Sequence, residues 1–326
     1  MRLLIVIALS LLPQMTLAAG CVGSDLRTQL EPDQIAALAA AEAETPFANG
    51  NHWRATRGER VIHVIGTVHI PDPRLDPVSA KLAPLITAAD RLLVEATAED
   101  RKLLEQNLTS DSSFLLLQDT TLPELMEEED WQKLAEAARS RGIPAFMAAK
   151  FQPWYLSLVL ALPGCAMEVM GTGEGLDARI ETMARNADLA RQSLEPFDTV
   201  FKMFNEDPLD EQLRMLQLGI FPEETGADLL VTTLNSYFDQ AHSDSWQLSR
   251  MLTLAHLDLP EAEVEQMLTE MEEKLLIRRN LAWIDVIEDA PEDRLVVAVG
   301  AAHLMGESGI LNQLQSRGYT LERQEF

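Results

Sequence analysis

Apolar positions in this chain fall in short unbroken runs near its two ends and at helical spacing in between. Val61 to Ile65 is a mostly β-branched run that ends in Gly66-Thr67-Val68-His69, and Leu295 to Val299 runs into Gly300-Ala301-Ala302-His303. A third run, Leu92-Leu93-Val94, ends in Glu95. Short apolar runs closed by turn residues read as strands buried on both faces. His52 to Thr56 and Arg60 to Gly66 flank Arg57-Gly58-Glu59, which predicts a hairpin. Val78 to Ala89 reads as a helix despite Pro84, so strand, helix and strand should leave two parallel strands. After LVVAV a helix to Ser316, a Gly318 cap and a closing strand over Tyr319 to Arg323 repeat that logic on the same sheet.

Between these ends the periodicity is helical. Pro32 to Glu44 is an Ala-rich helix, Thr121-Leu122-Pro123-Glu124 is a capping box for a helix closed by Gly142, and Trp154 to Leu162 is a short core helix. Pro260 to Glu288 reads as one long helix with an acidic first turn and Arg279-Asn280 late in it. Ile143 to Met147 and Gln192 to Glu195 are short enough to be strands. The fold class expected is α/β: a central, mostly parallel sheet formed by the N- and C-terminal segments, with a large helical middle region at about 99–290, the whole of 21–326 forming one domain.

Composition changes this picture in two places. The formal net charge of −26 over 326 residues argues against nucleic acid and anionic lipid surfaces as partners. Residues 1–20 read as a signal peptide, with Arg2 as a minimal basic region, an apolar stretch from Leu3 to Leu12, and small residues at Ala18-Ala19-Gly20. No later stretch is long enough to span a membrane, so the mature chain is expected in the periplasm or secreted. In that oxidising setting the two cysteines, Cys21 and Cys165, are expected to form a disulfide. The competing reading is a lipid anchor on Cys21, against which Ala18 stands where a lipoprotein box usually has Leu.

The chemistry gathers at strand ends. In open α/β sheets ligands bind beyond the carboxyl ends of the strands, and His69, Glu95 and His303 all fall just past such ends. Two imidazoles and a carboxylate make a candidate metal or acid/base site, and Gly66 and Gly300 leave room for sharp turns beside it. His52, His63, His242 and His256 lack the repeated context and read as structural.

At this level of detail the sequence resembles the TraB/GumN family, through GTVH (Gly66 to His69), LLVEA around Glu95, and VGAAHLMGESGILNQL with the later RGY. Gly175-Leu176-Asp177, Ser193-Leu194-Glu195 and Arg279-Asn280 also match its pattern, so the resemblance covers nearly the whole mature chain. That family is related to the Tiki metalloproteases, in which two G-x-x-H motifs and a glutamate are held to form a metal-dependent peptidase site, on a fold shared with the EreA/ChaN group. The resemblance implies a divalent metal ion on His69, Glu95 and His303. Glu95 would double as catalytic base, Arg279 would contact a substrate or transition-state anion, and Asp177 and Glu195 would support them. It implies an exported hydrolase acting on a peptide or small envelope-derived substrate. The alternative is a non-catalytic binding or regulatory protein that sequesters such a ligand in the same cleft. Haem or iron handling, as in the ChaN branch, ranks lower because there are six histidines and no tyrosine–histidine cluster.

Overall fold

The computed structural model describes residues 16–18, 20–170, 174–218, 220–257 and 259–326. Most of the expected signal peptide therefore lies outside the described residues. The first described strand, β1 (Thr16–Ala18), pairs antiparallel with β2 (Cys21–Gly23).

Six strands form the central sheet: β3 (His52–Arg57), β4 (Arg60–Thr67), β5 (Arg91–Val94), β6 (Ala190–Ser193), β7 (Arg294–Gly300) and β8 (Thr320–Arg323), in the order β6-β5-β7-β4-β3-β8. β4, β7, β5 and β6 are mutually parallel. Only β3 runs against them, because the tight turn at Gly58 (φ +63°) folds it onto β4 and β8 then pairs antiparallel to it. β4 and β5 are parallel as expected, yet β7 lies between them and hydrogen-bonds to both. The C-terminal motif strand is thus the centre of the sheet.

Strand periodicity divides the core in two. Ile62, Val64, Leu93, Leu295, Val297 and Val299 face one side, packed on Trp283, Ile284, Ile287, Leu311 and Leu314. Ile65, Leu92, Val94, Val296 and Ala298 face the other, packed on Leu75, Leu82, Ile86, Leu176 and Ile180. A sheet covered on both faces explains the continuous apolar runs, since neither side of these strands is allowed to be polar. A third cluster, built on Leu122, Trp131, Leu134, Leu156, Leu160 and Leu216, organises the helical middle region separately. Among the described residues no helix is long and apolar enough to cross a membrane.

Three details differ from the sequence expectation. Ile143–Met147 is not a strand: Pro144 caps a single helical turn, Ala145–Ala148. The capping box at Thr121 and Glu124 is present but opens only the short helix Leu122–Leu125, and a separate helix, Glu128–Ser140, runs to Gly142. The long helix of the C-terminal half is continuous but not uniform. Glu261–Glu272 and Arg278–Asp289 are α-helical, joined by a π-helical turn at Glu273–Ile277. Such a turn shifts the phase of everything after it. Here Arg279, Asn280 and Trp283 face inward beyond it, where they are buried.

Cys21 and Cys165 are disulfide-bonded, with their Cα atoms 5.3 Å apart and 144 residues between them. With its Sγ committed to Cys165, Cys21 has no thiol left for a lipid. The bond ties β2 to the helix Gly164–Met170. Chain-entropy arguments for so long a loop give about 5 kcal/mol at most. Reduction, or Cys21→Ser with Cys165→Ser, is expected to lower the urea midpoint by the equivalent of about 2–5 kcal/mol. An unchanged midpoint would show that the bond constrains nothing.

Candidate functional site

The two G-x-x-H turns touch. β4 and β7 are adjacent, with Gly66 opposite Val299 and Thr67 opposite Gly300. A Cβ at Gly66 would stand 2.8 Å from a Leu304 methyl and 3.1 Å from Ala301, so only glycine lets the first strand pass the second turn this closely. β5 and β6 end at the same level, which brings Glu95 and Glu195 to the same rim as the histidines; Leu194 N–H donates to the Val94 carbonyl across these ends (2.8 Å).

Two linked constellations result. The first is buried and centred on Arg279, whose side chain lies 4.6 Å from the Trp283 ring. Its Nη2 donates to Glu95 Oε2 (2.8 Å) and Glu195 Oε1 (2.7 Å), and its Nε to Glu195 Oε2 (3.1 Å). Its Nη1 donates to the Leu275 carbonyl (3.2 Å) and to His303 Nε2 (3.3 Å). All five guanidinium N–H groups are engaged. Trp283 Nε1 donates to Glu195 Oε2 (3.0 Å), and Gly300 N–H donates to Glu95 Oε1 (2.7 Å).

His303, 4% exposed, has its tautomer set by these partners. Arginine only donates, so Nε2 must accept, and Nδ1–H donates to Asn280 Oδ1 at 2.7 Å. Asn280 Nδ2 in turn donates to the His303 carbonyl (3.4 Å), and the imidazole lies against Trp283. Burial pushes the His303 pKa down to about 4, with Arg279 adding to the push against the pull of Glu95, so the ring is neutral near pH 7. For Glu95, burial raises the pKa, but the surrounding His303, His69 and Arg279 and the Gly300 N–H outweigh it and hold the carboxylate at about 2. With His303 neutral near pH 7, His69, Arg279 and the Gly300 N–H carry that effect.

The second constellation is open. His69, Glu95, Thr67, Arg101, Asp177 and Glu181 line a recess of about 300 Å³. His69 Nδ1 lies 3.1 Å from Asp177 Oδ1. Asp177 is placed by Gly175, where a Cβ would fall 2.4 Å from the His69 carbonyl carbon, and by the Leu176 N–H bond to the Val68 carbonyl (2.9 Å). Asp177 sits in the first turn of the helix Leu176–Asn186, where the dipole favours a carboxylate. Arg101 is held by Glu181 (2.5 Å) and the Ala96 carbonyl (2.6 Å).

Desolvation in the recess disfavours a charged His69. The hydrogen bond to Asp177 and the charges of Asp177 and Glu95 outweigh it and raise the pKa to about 9. Because the folded value lies above the ordinary 6.5, the stabilisation is complete below about pH 6.5 and is lost as pH rises through 9. The side chain is 57% exposed, so solvent screens the pair and its contribution to stability is small. The pKa itself is the better readout: Asp177→Asn should drop it from about 9 towards 6.5 in a proton NMR titration of the ring. A His69 pKa that stays near 9 would show that Asp177 is not its partner.

Residues 51–323 match the TraB/PrgY/gumN family. The chain belongs to that family. Over 273 residues it is 28% identical to the uncharacterized protein YbaP of Escherichia coli (strain K12), covering 82% of this chain and 94% of that protein. The YbaP of Shigella flexneri aligns to the same extent. All the strand-end residues lie inside the family match, whereas Cys21 lies outside it and is fastened to it by the disulfide.

The ion implied by the resemblance to this family can be tested against the geometry. Two imidazoles and a carboxylate suit a divalent ion by donor type. Their arrangement does not: His69 Nδ1 faces Asp177, His303 Nε2 receives Arg279, and the Glu95 oxygens receive Arg279 and Gly300. Among the described residues no three His, Cys, Asp or Glu side chains stand so that they could hold one ion. The structure brings Glu95 within 4.0 Å of His303 and turns His69 Nδ1 to Asp177. Asn280 and Trp283 organise His303 and Glu195, yet only Asn280 was flagged by the sequence. The signal for Trp283 was its place four residues after Arg279, on the same helical face.

Three of the histidines read as structural have polar neighbours within the protein. His52 Nε2 and His63 Nδ1 are 3.0 Å apart across the β3–β4 hairpin, and His242 Nδ1 lies 3.1 Å from Asn51 Oδ1.

Proposed function

We propose that this TraB/PrgY/gumN-family protein is an exported hydrolase acting on a peptide or small envelope-derived substrate bound in the strand-end recess. The observation that carries the reading is His69, with Nδ1 3.1 Å from Asp177 Oδ1, sharing one recess with Glu95. In this reading Glu95 takes a proton from the attacking water as its oxygen adds to the substrate carbonyl, and His69 donates its proton to the leaving group as the scissile bond breaks. Arg279 and Asn280 act through others, holding Glu95 and His303 in place. The proposal includes a divalent ion only in a form where Arg279 has withdrawn from Glu95 and His303.

The test is turnover of a quenched-fluorescence peptide library by the mature chain. His69→Ala and Glu95→Gln should each lower kcat/KM by about 100-fold or more while the fold is retained. A second reading, a binding protein using the same recess, is favoured by one observation: every guanidinium donor of Arg279 is already taken within the protein, leaving none for a transition-state anion. Retained ligand binding with no turnover in the unmutated chain would decide for that second reading.

A further inference from the structure

The helical middle region encloses a cavity of about 410 Å³ that the strand-end chemistry does not use. Walls come from Pro153–Leu160, Leu209–Leu218, Glu223–Phe238, His242–His256 and Glu261–Glu272, and Trp154, Leu230 and Leu268 are among the apolar side chains facing it. Its volume falls within the roughly 300–1,000 Å³ of small-molecule sites, and an apolar space between helices with few polar groups is where such sites occur.

Two features separate it from a packing defect. Gln212 lines it and is 5% exposed; its Nε2 donates to the Asp207 carbonyl (2.9 Å), but its buried Oε1 has no partner among the described residues. A buried acceptor left unpaired is unfavourable, and a donor brought by a ligand would satisfy it. Leu158, also on the lining, is 38% exposed, which opens one side to solvent.

We propose that this cavity binds a single-chain aliphatic amphiphile with an uncharged, hydrogen-bond-donating head, of the monoacylglycerol type. Met215 and Met271 in the wall are unbranched and adapt to a flexible chain. A carboxylate head is disfavoured because it has no proton for Gln212 Oε1 and meets a protein of net charge −26, and the lining Arg141 is already committed to the Ala137, Leu160 and Leu162 carbonyls. A cationic head is disfavoured because Asp207 is already paired with Lys274 at 2.6 Å. The proposal is independent of the hydrolase reading, since its readout is binding: His69→Ala should leave it unchanged.

Glycerol monolaurate below its micelle concentration, titrated calorimetrically into the full chain with tryptophan fluorescence as a second signal, should bind saturably at one site. The ten-carbon homologue should bind roughly tenfold more weakly, as loss of two buried methylenes requires. Gln212→Leu should weaken monolaurate about tenfold, and Leu230→Trp, which fills the space, should abolish binding. Laurate binding as tightly as monolaurate, no loss in Gln212→Leu, or no saturable binding would each overturn the proposal. So would displacement of monolaurate by a leucine-rich peptide at lower concentration than by monolaurate itself.

Discussion

Arg279→Met is expected to destabilise the protein by about 3–5 kcal/mol, among the largest effects of any single substitution in this chain. The change removes the guanidinium that bridges Glu95 and Glu195, which are themselves largely buried. Breaking a buried pair by deleting one partner leaves an uncompensated charge, and that residual charge dominates the cost. Adding Glu195→Gln removes one of the two stranded carboxylates, so the double variant should recover more than half of the loss. Arg279→Lys should fall between, because three ammonium donors on a flexible stem do not reproduce five in a planar fork. Urea denaturation of the four proteins measures all of this. A loss below about 1 kcal/mol for Arg279→Met would mean the carboxylates reach water or neutralise, and that the network does not organise the strand ends.

Much of this site was legible because the chain writes it twice. G-x-x-H after an apolar run marked His69 and His303, and the same logic marked Glu95. Strand periodicity then sufficed to place all three at one edge of one sheet, since parallel strands end together. Pairing geometry was less legible. Nothing local says that β7 inserts between β4 and β5, because strand order is decided by which apolar faces meet after more than two hundred residues of intervening chain. The division of labour between the histidines was also hidden. His69 and His303 have the same motif, yet Asp177 makes one a cation near pH 7, while Arg279 and burial make the other a neutral acceptor. Those partners come from distant helices, and the π-helical turn that aims Arg279 has no periodic signature. Ile143–Met147 failed for a simpler reason: a five-residue apolar stretch after a glycine is ambiguous, and Pro144 favoured the first turn of a helix over a ladder it cannot join.

A divalent ion and Arg279 are expected to exclude one another at Glu95 and His303. The guanidinium already holds Glu95 Oε2 and the lone pair of His303 Nε2, the atoms an ion would need. Displacing it breaks charge-assisted hydrogen bonds worth about 1.5–3 kcal/mol each, so zinc affinity in the unmutated chain should be at least about 100-fold below that of Arg279→Met/Glu195→Gln. An ion that binds only the folded protein stabilises it by about 2.7 kcal/mol at one hundred times its Kd. The double variant should therefore show that stabilisation with zinc and lose it to a chelator, and adding Glu95→Gln should abolish the response. The unmutated protein should show almost none at the same zinc concentration. Affinity in the double variant should also fall as the pH drops and His303 protonates. Tight, stoichiometric zinc in the unmutated chain, dependent on His69, Glu95 and His303, would show instead that Arg279 yields readily and that the metal-dependent form of the hydrolase is the working one.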